Sequence, residues 1–304
     1  MPKKNIGIVL LAFGGPDSPE AIEPFMKNLM GRVPPPPLVE KMKGRYQLIG
    51  GKSPLPETTA AQAQELERYF QEDGMHVQVV VGMCHWKPFV SQAVEQLCAA
   101  GVDHIIGVSL APFYSKVSTG AYQAELSKAV EASSRPIPVT MAEPFYDNPF
   151  FIEAISEKIN DTLQTIPVNR AQVPLIFSAH SLPMANIEQG EPYAQQFEFT
   201  VQRLVETLAP NTWRIAYQSK GGGQGVWLGP TVEEVMEELS GAGHKEVLVV
   251  PVGFVSDHIE TLYDIDIAQR QYAHELGLKF YRAEALNTSG LFIRALASVV
   301  LSEL

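Results

Sequence analysis

Cysteine is scarce in this sequence, which has only Cys84 and Cys98 among its 304 residues. Neither is followed by a C-x-x-C partner, so the sequence indicates neither a disulfide framework nor a cysteine-ligated cluster. The glycine-proline turn at 13–19 lacks the G-x-G-x-x-G spacing of a dinucleotide-binding loop. These absences exclude the cofactor sites that are most readily read from a sequence.

Positive charge and long hydrophobic runs are also missing. The chain has 23 Lys and Arg against 34 Asp and Glu, a net charge of −11, whereas nucleic-acid binding needs a basic face. We therefore expect no nucleic-acid partner. The amino-terminal run Ile6–Ala12 is too short for a transmembrane helix, and no cleavage site follows it. We expect a cytoplasmic protein without a transmembrane segment, and peripheral contact with a membrane stays open.

What the sequence does contain is ordinary globular composition, 45% hydrophobic and 19% charged, over a length that allows two domains. Short apolar runs alternate with amphipathic segments. The predicted strands are 6–12, 77–81, 105–110, 175–180, 213–218 and 247–254. The predicted helices are 20–30, 38–46, 58–70, 88–100, 149–165, 191–208 and 230–239. This alternation predicts parallel sheets with helices on both faces.

Two local predictions concern prolines and helix caps. Consecutive prolines in 31–37 predict an extended segment, because proline restricts φ and disfavours a helix. Thr58 or Thr59 is predicted to cap the helix that follows. The whole excursion 31–56 is too long for a simple connection and is expected to form one wall, or lip, of a site.

Internal similarity indicates two equivalent halves. Pro88 to Gly101 and Pro230 to Gly243 have the same spacing, and each contains an amphipathic helix that leads into an apolar strand. We predict an α/β domain over 1–146, a second over 147–289, and a last helix over 290–304 that packs back on the first. Two such halves make a cleft lined by the carboxyl-end loops of both sheets.

The segment Pro174–Pro183 predicts a buried strand that ends at His180. Proline flanks strands but does not occupy their middle, and ligands of α/β sheets bind at the carboxyl ends of strands. A histidine at this position is a candidate functional residue. Its alternative role is structural, with the imidazole capping a loop through hydrogen bonds.

The run 257–264 is the second candidate site segment. It follows a predicted strand and resembles the first turns of a helix, so Asp257, Glu260 and Asp264 would share one face. One histidine and several carboxylates form either a divalent metal site or a general acid–base pair. The alternative for the carboxylates is helix-dipole stabilisation, about 0.3–1 kcal/mol each.

With these residues assembled, the chain resembles the ferrochelatase family over nearly its full length. Five motifs in order carry the resemblance: Ala12–Pro16 (AFGGP), Arg45–Leu55 (RYQLIGGKSPL), Ser178–Pro183 (SAHSLP), Trp227–Pro230 (WLGP) and Pro251–Asp264 (PVGFVSDHIETLYD). The resemblance implies two similar Rossmann-like, chelatase-type domains around a porphyrin cleft. It also implies a lyase of heme biosynthesis that inserts Fe(II) into a porphyrin.

The resemblance also implies residue roles. His180 and Glu260 match the paired catalytic and metal-site residues, and which of them is the base and which the metal ligand stays open. The positions that match porphyrin contacts are Phe13, Arg45, Tyr46, Ser53 and Tyr122. Asp257 and Asp264 would belong to an acidic track behind Glu260.

Phe13 is a departure, since many relatives carry Tyr or Met there, so an axial protein ligand on that side stays open. No cysteine cluster follows the core, which excludes the iron-sulfur centre of some relatives. We expect no cofactor required for catalysis, Fe(II) and a porphyrin as substrates, and a monomer. Protoporphyrin IX and coproporphyrin III are not distinguished. The alternatives are a chelatase for another tetrapyrrole with cobalt or nickel, and a non-catalytic tetrapyrrole-binding protein.

Overall fold

A computed structural model describes residues 5–221 and 225–304, so the first four residues of the predicted 1–146 domain lie outside it. The strands are β1 (Ile6–Ala12), β2 (Val77–Met83), β3 (His104–Ser109), β4 (Val139–Met141), β5 (Leu175–His180), β6 (Trp213–Gln218), β7 (Glu246–Val250) and β8 (Lys279–Arg282). The α-helices are α1 (Ile22–Met30), α2 (Pro36–Leu48), α3 (Leu55–Glu72), α4 (Val90–Ala99), α5 (Thr119–Glu131), α6 (Pro149–Thr165), α7 (Met184–Glu188), α8 (Tyr193–Leu208), α9 (Val232–Gly241), α10 (Arg270–Glu275) and α11 (Gly290–Leu301). A π-helix covers Glu260–Gln269, and short 3₁₀ turns cover Pro19–Ala21 and Arg170–Gln172.

The first compact unit comprises the chain up to Phe145 together with Asn287–Leu304. Its sheet has the order β2-β1-β3-β4, and all pairings are parallel. Strand β1 is buried along its whole length, as expected of a central parallel strand covered by helices on both faces. The closing helix α11 lies against α3, and the Gln62 amide of α3 donates a 2.8 Å hydrogen bond to the Asn287 carbonyl.

The second unit, Tyr146–Leu286, repeats this topology. Its sheet has the order β6-β5-β7-β8, again with parallel pairings throughout. In both units the strand that comes first lies between the second and the third. The second strand therefore pairs with one edge of the first strand, and the third strand pairs with its other edge. This reversal of strand order creates a topological switch point, where ligands of such sheets bind. The predicted fold class of two parallel sheets flanked by helices is confirmed; the cleft between the halves stays a prediction.

The extended segment predicted over 31–37 is wrong at its end, because α2 begins at Pro36. Pro36 and Pro37 occupy the first two helical positions, where the backbone nitrogen has no carbonyl acceptor in any case, so proline is tolerated there. The predicted Thr58 or Thr59 cap is also wrong. Helix α3 begins at Leu55, and the Thr59 hydroxyl donates to the Leu55 carbonyl inside the helix.

Strand β7 ends at Val250, four residues before the predicted end at 254. Pro251 lacks a backbone donor for the ladder, and the segment after it leaves the sheet. Five of the strands and α-helices were not predicted: the 13-residue helix α5 and the short elements β4, α7, α10 and β8. Strand β4 spans three residues, none of them fully buried, too few for a period-two pattern to be visible. Within the described ranges, no helix has both the length and the apolar character needed to cross a membrane.

Candidate active site

His180 is the last residue of β5, at the switch point of the second sheet. Its Nδ1 lies 2.6 Å from the Ser181 carbonyl oxygen. A carbonyl only accepts, so Nδ1 carries the hydrogen and, in the neutral ring, Nε2 keeps its lone pair. The Tyr193 hydroxyl donates to the His180 carbonyl at 3.0 Å, which holds the backbone on the other side. The end of β5 therefore presents an imidazole that is held through Nδ1, while Nε2 is directed away from that hydrogen bond.

Glu260 reaches this imidazole because the chain after β7 passes very close to β5. A Cβ atom on Gly253 would lie 3.1 Å from the Cα and Cβ atoms of Ala179, tighter than ordinary packing. The Gly253 nitrogen donates to the Ser178 carbonyl at 3.2 Å. Glycine permits this close approach. The approach leaves Glu260 Oε1 3.7 Å from His180 Nε2.

His258 completes the group and was missed by the sequence analysis, although it lies inside the 257–264 segment. Its Nδ1 lies 3.1 Å from the Ser256 carbonyl, and its Nε2 lies 3.7 Å from Glu260 Oε2. Two imidazoles thus face the two oxygens of one carboxylate. The signal that could have identified His258 is its position two residues before Glu260, on the same irregular segment.

The gaps in this group suit the binding of a metal ion or a proton. A distance of 3.7 Å is too long for a normal hydrogen bond, and Glu260 Oε2 is buried without a hydrogen-bond donor among residues 5–221 and 225–304. Metal bonds to nitrogen and carboxylate oxygen are about 2.0–2.2 Å long. One ion bonded to both His180 Nε2 and Glu260 Oε1 can therefore span the 3.7 Å between them. In those ranges no group of three or more His, Cys, Asp and Glu is arranged so that it could hold a metal ion. An ion bound here would therefore rely on fewer protein ligands, such as the pair His180 and Glu260.

The charges of the group are coupled. Burial raises the pKa of Glu260, but the positive charges of His180 and His258 outweigh it and lower that pKa below its ordinary value. Burial lowers the pKa of His258, but Glu260, the Ser256 carbonyl and Asp257 raise it above its ordinary value. An ion pair between Glu260 and His258 is therefore favoured in the folded protein.

This coupling predicts how stability depends on pH. The lowered pKa of Glu260 contributes stability above its ordinary value of 4.5, and the contribution is lost as pH falls through the folded-state pKa. The raised pKa of His258 contributes stability below its ordinary value of 6.5, and it is lost as pH rises through the folded-state pKa. We expect His258→Gln to destabilise the protein more at pH ~5.5 than at pH ~8.5 in urea unfolding.

The matched control for this measurement is His274→Gln, at an exposed position on α10. Its unfolding free energy should differ from that of wild type by the same amount at both pH values. Equal destabilisation by His258→Gln at both pH values would show that the ion pair with Glu260 does not form.

The predicted shared helical face of Asp257, Glu260 and Asp264 is wrong. Glu260 begins a π-helix, whose i→i+5 hydrogen bonds change the angular spacing of side chains, and Asp257 precedes it. Asp257 Oδ1 instead lies 3.1 Å from Arg282 Nη1 and accepts from the Thr261 hydroxyl at 3.0 Å. Asp264 Oδ2 accepts from the Ser219 hydroxyl at 2.9 Å. π-Helical turns are rare and occur often at functional sites.

The five predicted porphyrin-contact residues belong to the first unit. Phe13 follows β1 and is 38% exposed, and its ring centroid lies 4.5 Å from that of His85. Arg45 is partly exposed in the last turn of α2. The buried members are Tyr46, Ser53 and Tyr122. The Ser53 nitrogen donates to the Pro16 carbonyl at 2.8 Å, which joins the 31–56 excursion to the loop after β1.

Comparison with known proteins places this geometry in context. The Ferrochelatase family model matches residues 5–304. A ferrochelatase from Geotalea uraniireducens is 40% identical over 318 residues, covering 99% of this chain and 98% of that protein. A coproporphyrin III ferrochelatase from Geobacillus thermodenitrificans is 38% identical, covering 100% of this chain and 98% of that protein. The solved structure of SirB from Bacillus subtilis with Fe3+ has a TM-score of 0.64 at 12% identity, covering 98% of this chain and 95% of that chain.

The likeness to SirB shows the fold alone, because the sequence identity is low. The family model and the curated relatives carry more weight, since they match in sequence from one end of the described chain to the other. The resemblance drawn from the five motifs is confirmed: this chain belongs to the ferrochelatase family.

Proposed function

We propose that this chain is a lyase that inserts Fe(II) into a porphyrin for heme biosynthesis. The family assignment supports the reaction, and one observation in the structure carries it to particular residues. His180 directs Nε2, the ring nitrogen that the Ser181 carbonyl does not engage, at Glu260, whose second oxygen is buried without a hydrogen-bond donor in the described part of the chain. Such a pair can take up both species that the reaction moves, a divalent cation and a proton.

Metallation removes two pyrrole protons and places iron on the vacated nitrogens, so a porphyrin and Fe(II) give the iron porphyrin and two protons. His180 Nε2 can accept a pyrrole proton or bind the entering iron. Glu260 can accept the proton in turn or hold the ion. The division of these two tasks between His180 and Glu260 stays open.

The remaining site residues are proposed on the resemblance. Phe13, Arg45, Tyr46, Ser53 and Tyr122 are proposed to contact the porphyrin or its propionates. Arg45 has the chemistry to pair with a carboxylate through its planar fork. Asp257 and Asp264 are proposed to belong to an acidic track behind Glu260.

We propose that catalysis requires no resident cofactor and that iron acts only as a substrate. The two cysteines are free thiols, and burial raises the pKa of Cys84 to about 12. A thiol that stays protonated at neutral pH is a poor metal ligand, which supports the absence of an iron-sulfur cluster. We also propose a cytoplasmic monomer, to be tested by cell fractionation and by size-exclusion chromatography with light scattering.

The test of the function is a metallation assay with both candidate substrates. Purified protein is mixed anaerobically with Fe(II), or with Zn(II), and free-base coproporphyrin III or protoporphyrin IX. The absorption bands of the free base should convert to the metallated pattern. A carrier protein would bind either porphyrin without this conversion. A chelatase for another tetrapyrrole would leave both free bases unchanged and turn over only its own substrate with cobalt or nickel.

Phe13 provides a further prediction, since a phenyl ring can pack against a porphyrin but cannot bind iron. Phe13→Leu keeps an apolar side chain and loses the planar surface. Aromatic stacking adds about 0.5–1.5 kcal/mol beyond buried area, so we expect porphyrin affinity to fall tenfold or less in fluorescence-quenching titrations.

The matched variant Phe13→Tyr keeps the ring and adds an oxygen. It should metallate at close to the wild-type rate and shift the absorption spectrum of bound iron porphyrin, because the phenol oxygen can bind the iron. A Leu variant that binds porphyrin normally but inserts no metal would show that Phe13 takes part in the chemical step.

A further inference from the structure

Arg282 is a mostly buried arginine that contacts the chain both before and after Glu260. It is the last residue of β8, and its side chain is 11% exposed. Its Nε and Nη2 donate to the two carboxylate oxygens of Asp266, each at 2.8 Å. Its Nη1 donates to Asp257 Oδ1 at 3.1 Å. One guanidinium therefore binds two carboxylates that are nine residues apart in the chain.

The two carboxylates lie on either side of Glu260. Asp257 is three residues before it, and Asp266 is six residues after it, within the π-helix. Asp257 is also connected to the residues next to Glu260. The Thr261 hydroxyl can donate its one hydrogen to Asp257 Oδ1 or to the His258 carbonyl, each at 3.0 Å, and it accepts from the His258 backbone nitrogen at 3.0 Å. A displacement of Asp257 would therefore be transmitted to His258, two residues before Glu260, and to Thr261, the residue after it.

The segment needs such support because its backbone is irregular. A π-helix is intrinsically rare and usually lasts a single turn, whereas this one covers ten residues. A bidentate arginine–carboxylate pair adds geometric specificity as well as energy. Burial lowers the pKa of Arg282, but Asp266 and Asp257 raise it more, so the guanidinium stays charged in its buried position.

We propose that Arg282 is a positioning residue of the metal site, which holds Asp257 and Asp266 and thereby sets the Glu260 carboxylate against His180 and His258. Arg282 touches neither substrate; it acts on the carboxylate through the backbone between its two partners. Its effect on metallation rests on the proposed function, whereas its effect on the geometry of the His180–Glu260–His258 group does not. Loss of a residue that orients a metal ligand typically costs about 10–100-fold in metal affinity or activity.

The primary variant is Arg282→Met, which keeps much of the side-chain volume and removes the guanidinium. In the Zn(II) metallation assay we expect kcat to fall about 10–100-fold and the KM for Zn(II) to rise, while the KM for porphyrin stays at the wild-type value. Arg282→Lys keeps the charge but not the two-point geometry, and should fall between wild type and Arg282→Met. A general loss of folding would lower the apparent kcat and leave both KM values at the wild-type value.

The matched control is Arg270→Met. Arg270 also reaches Asp266: its Nε donates to the Asp266 carbonyl at 2.9 Å, and its Nη2 lies 3.5 Å from Asp266 Oδ1, at the limit of a hydrogen bond. Its side chain is 50% exposed. This variant removes the arginine that directly follows the π-helix, at the start of α10, without breaking the connection between Asp257 and Asp266. Metallation should therefore stay within about threefold of wild type, well short of the loss expected at Arg282.

A second variant keeps the inference testable if Arg282→Met folds poorly, and a double variant tests whether the two changes break one interaction. Asp266→Asn weakens the bidentate Arg282–Asp266 pair by changing the carboxylate rather than the guanidinium. It should show the same fall in kcat and the same rise in the KM for Zn(II). In the double variant the loss should be no greater than in Arg282→Met alone, since both changes break one interaction. Additive losses in a well-folded double variant would overturn the proposal.

A readout without turnover separates this inference from the proposed function. Co(II) is titrated into porphyrin-free protein and followed by visible absorption, with His180→Ala as the variant that lacks the site. Weaker Co(II) binding in Arg282→Met, but not in Arg270→Met, supports positioning even if wild type metallates neither porphyrin. Wild-type kinetics and Co(II) affinity in Arg282→Met overturn the inference and leave the proposed function standing. A wild-type protein that neither metallates porphyrin nor binds Co(II) overturns both.

Discussion

Replacing His180 with alanine is expected to abolish metallation while leaving porphyrin binding intact. The imidazole presents Nε2 to the site because Nδ1 is engaged by the Ser181 carbonyl, and an alanine offers neither a base nor a ligand there. General acid–base groups contribute about 10²–10⁴-fold to rate, so the loss should be at least about 100-fold. The proposed porphyrin contacts Phe13 and Arg45 lie elsewhere in the chain, and they should preserve affinity in a fluorescence-quenching titration.

The control for this experiment is His274→Ala, at an exposed position on α10, which should metallate at the wild-type rate. Circular dichroism of both variants checks that the second unit is folded. Near-normal turnover of His180→Ala would remove this residue from the mechanism and return it to the alternative structural role of a loop cap.

Replacing Glu260 with glutamine should slow metallation by about 10²–10⁴-fold. The change keeps the shape of the side chain and removes the charge that both imidazoles face at 3.7 Å. An amide cannot accept a proton under these conditions and is a weaker ligand for a divalent cation than a carboxylate. The KM for Zn(II) should rise together with the loss in kcat, and the rate should be measured with saturating porphyrin.

Glu275→Gln is the matched control, since it makes the same chemical change at an exposed position on α10, and its activity should equal that of wild type. If the activity of Glu260→Gln falls only a few-fold, the carboxylate stabilises the start of the π-helix rather than the reaction. That outcome would favour the helix-dipole alternative, which is worth only about 0.3–1 kcal/mol.

Local chemistry was sufficient to predict most of the second unit. The segment 174–183 predicted a strand ending at His180, and β5 covers Leu175–His180. The predicted strand at 213–218 coincides with β6. Both predictions rest on apolar runs bounded by proline or polar residues. Such a run can be recognised from consecutive residues, without knowledge of tertiary contacts. The same reasoning failed at Pro36 and Pro37, where the position of proline within the helix decides whether it is tolerated.

The candidate site was predicted in part. The sequence singled out His180 and Glu260, but it assigned Glu260, Asp257 and Asp264 to one face of an α-helix. The π-helix that forms instead directs Asp257 to Arg282 and Asp264 to Ser219. No periodicity in the sequence signals a π-helix, because its hydrogen bonds become favourable only when tertiary contacts hold the turns in place.

The fold class, the family and the two residues proposed to carry the chemistry could be predicted from the residues alone, because strand patterning and short motifs are local properties of the chain. The place of His258 beside them and the contacts of Arg282 with Asp257 and Asp266 depend instead on how the chain folds. Arg282 lies 22 residues after Glu260 in the sequence, and the parallel pairing of β7 with β8 is what places it beside the π-helix. Side chains that meet through strand order leave no periodic trace in the sequence, so their partnership becomes readable only in the folded chain.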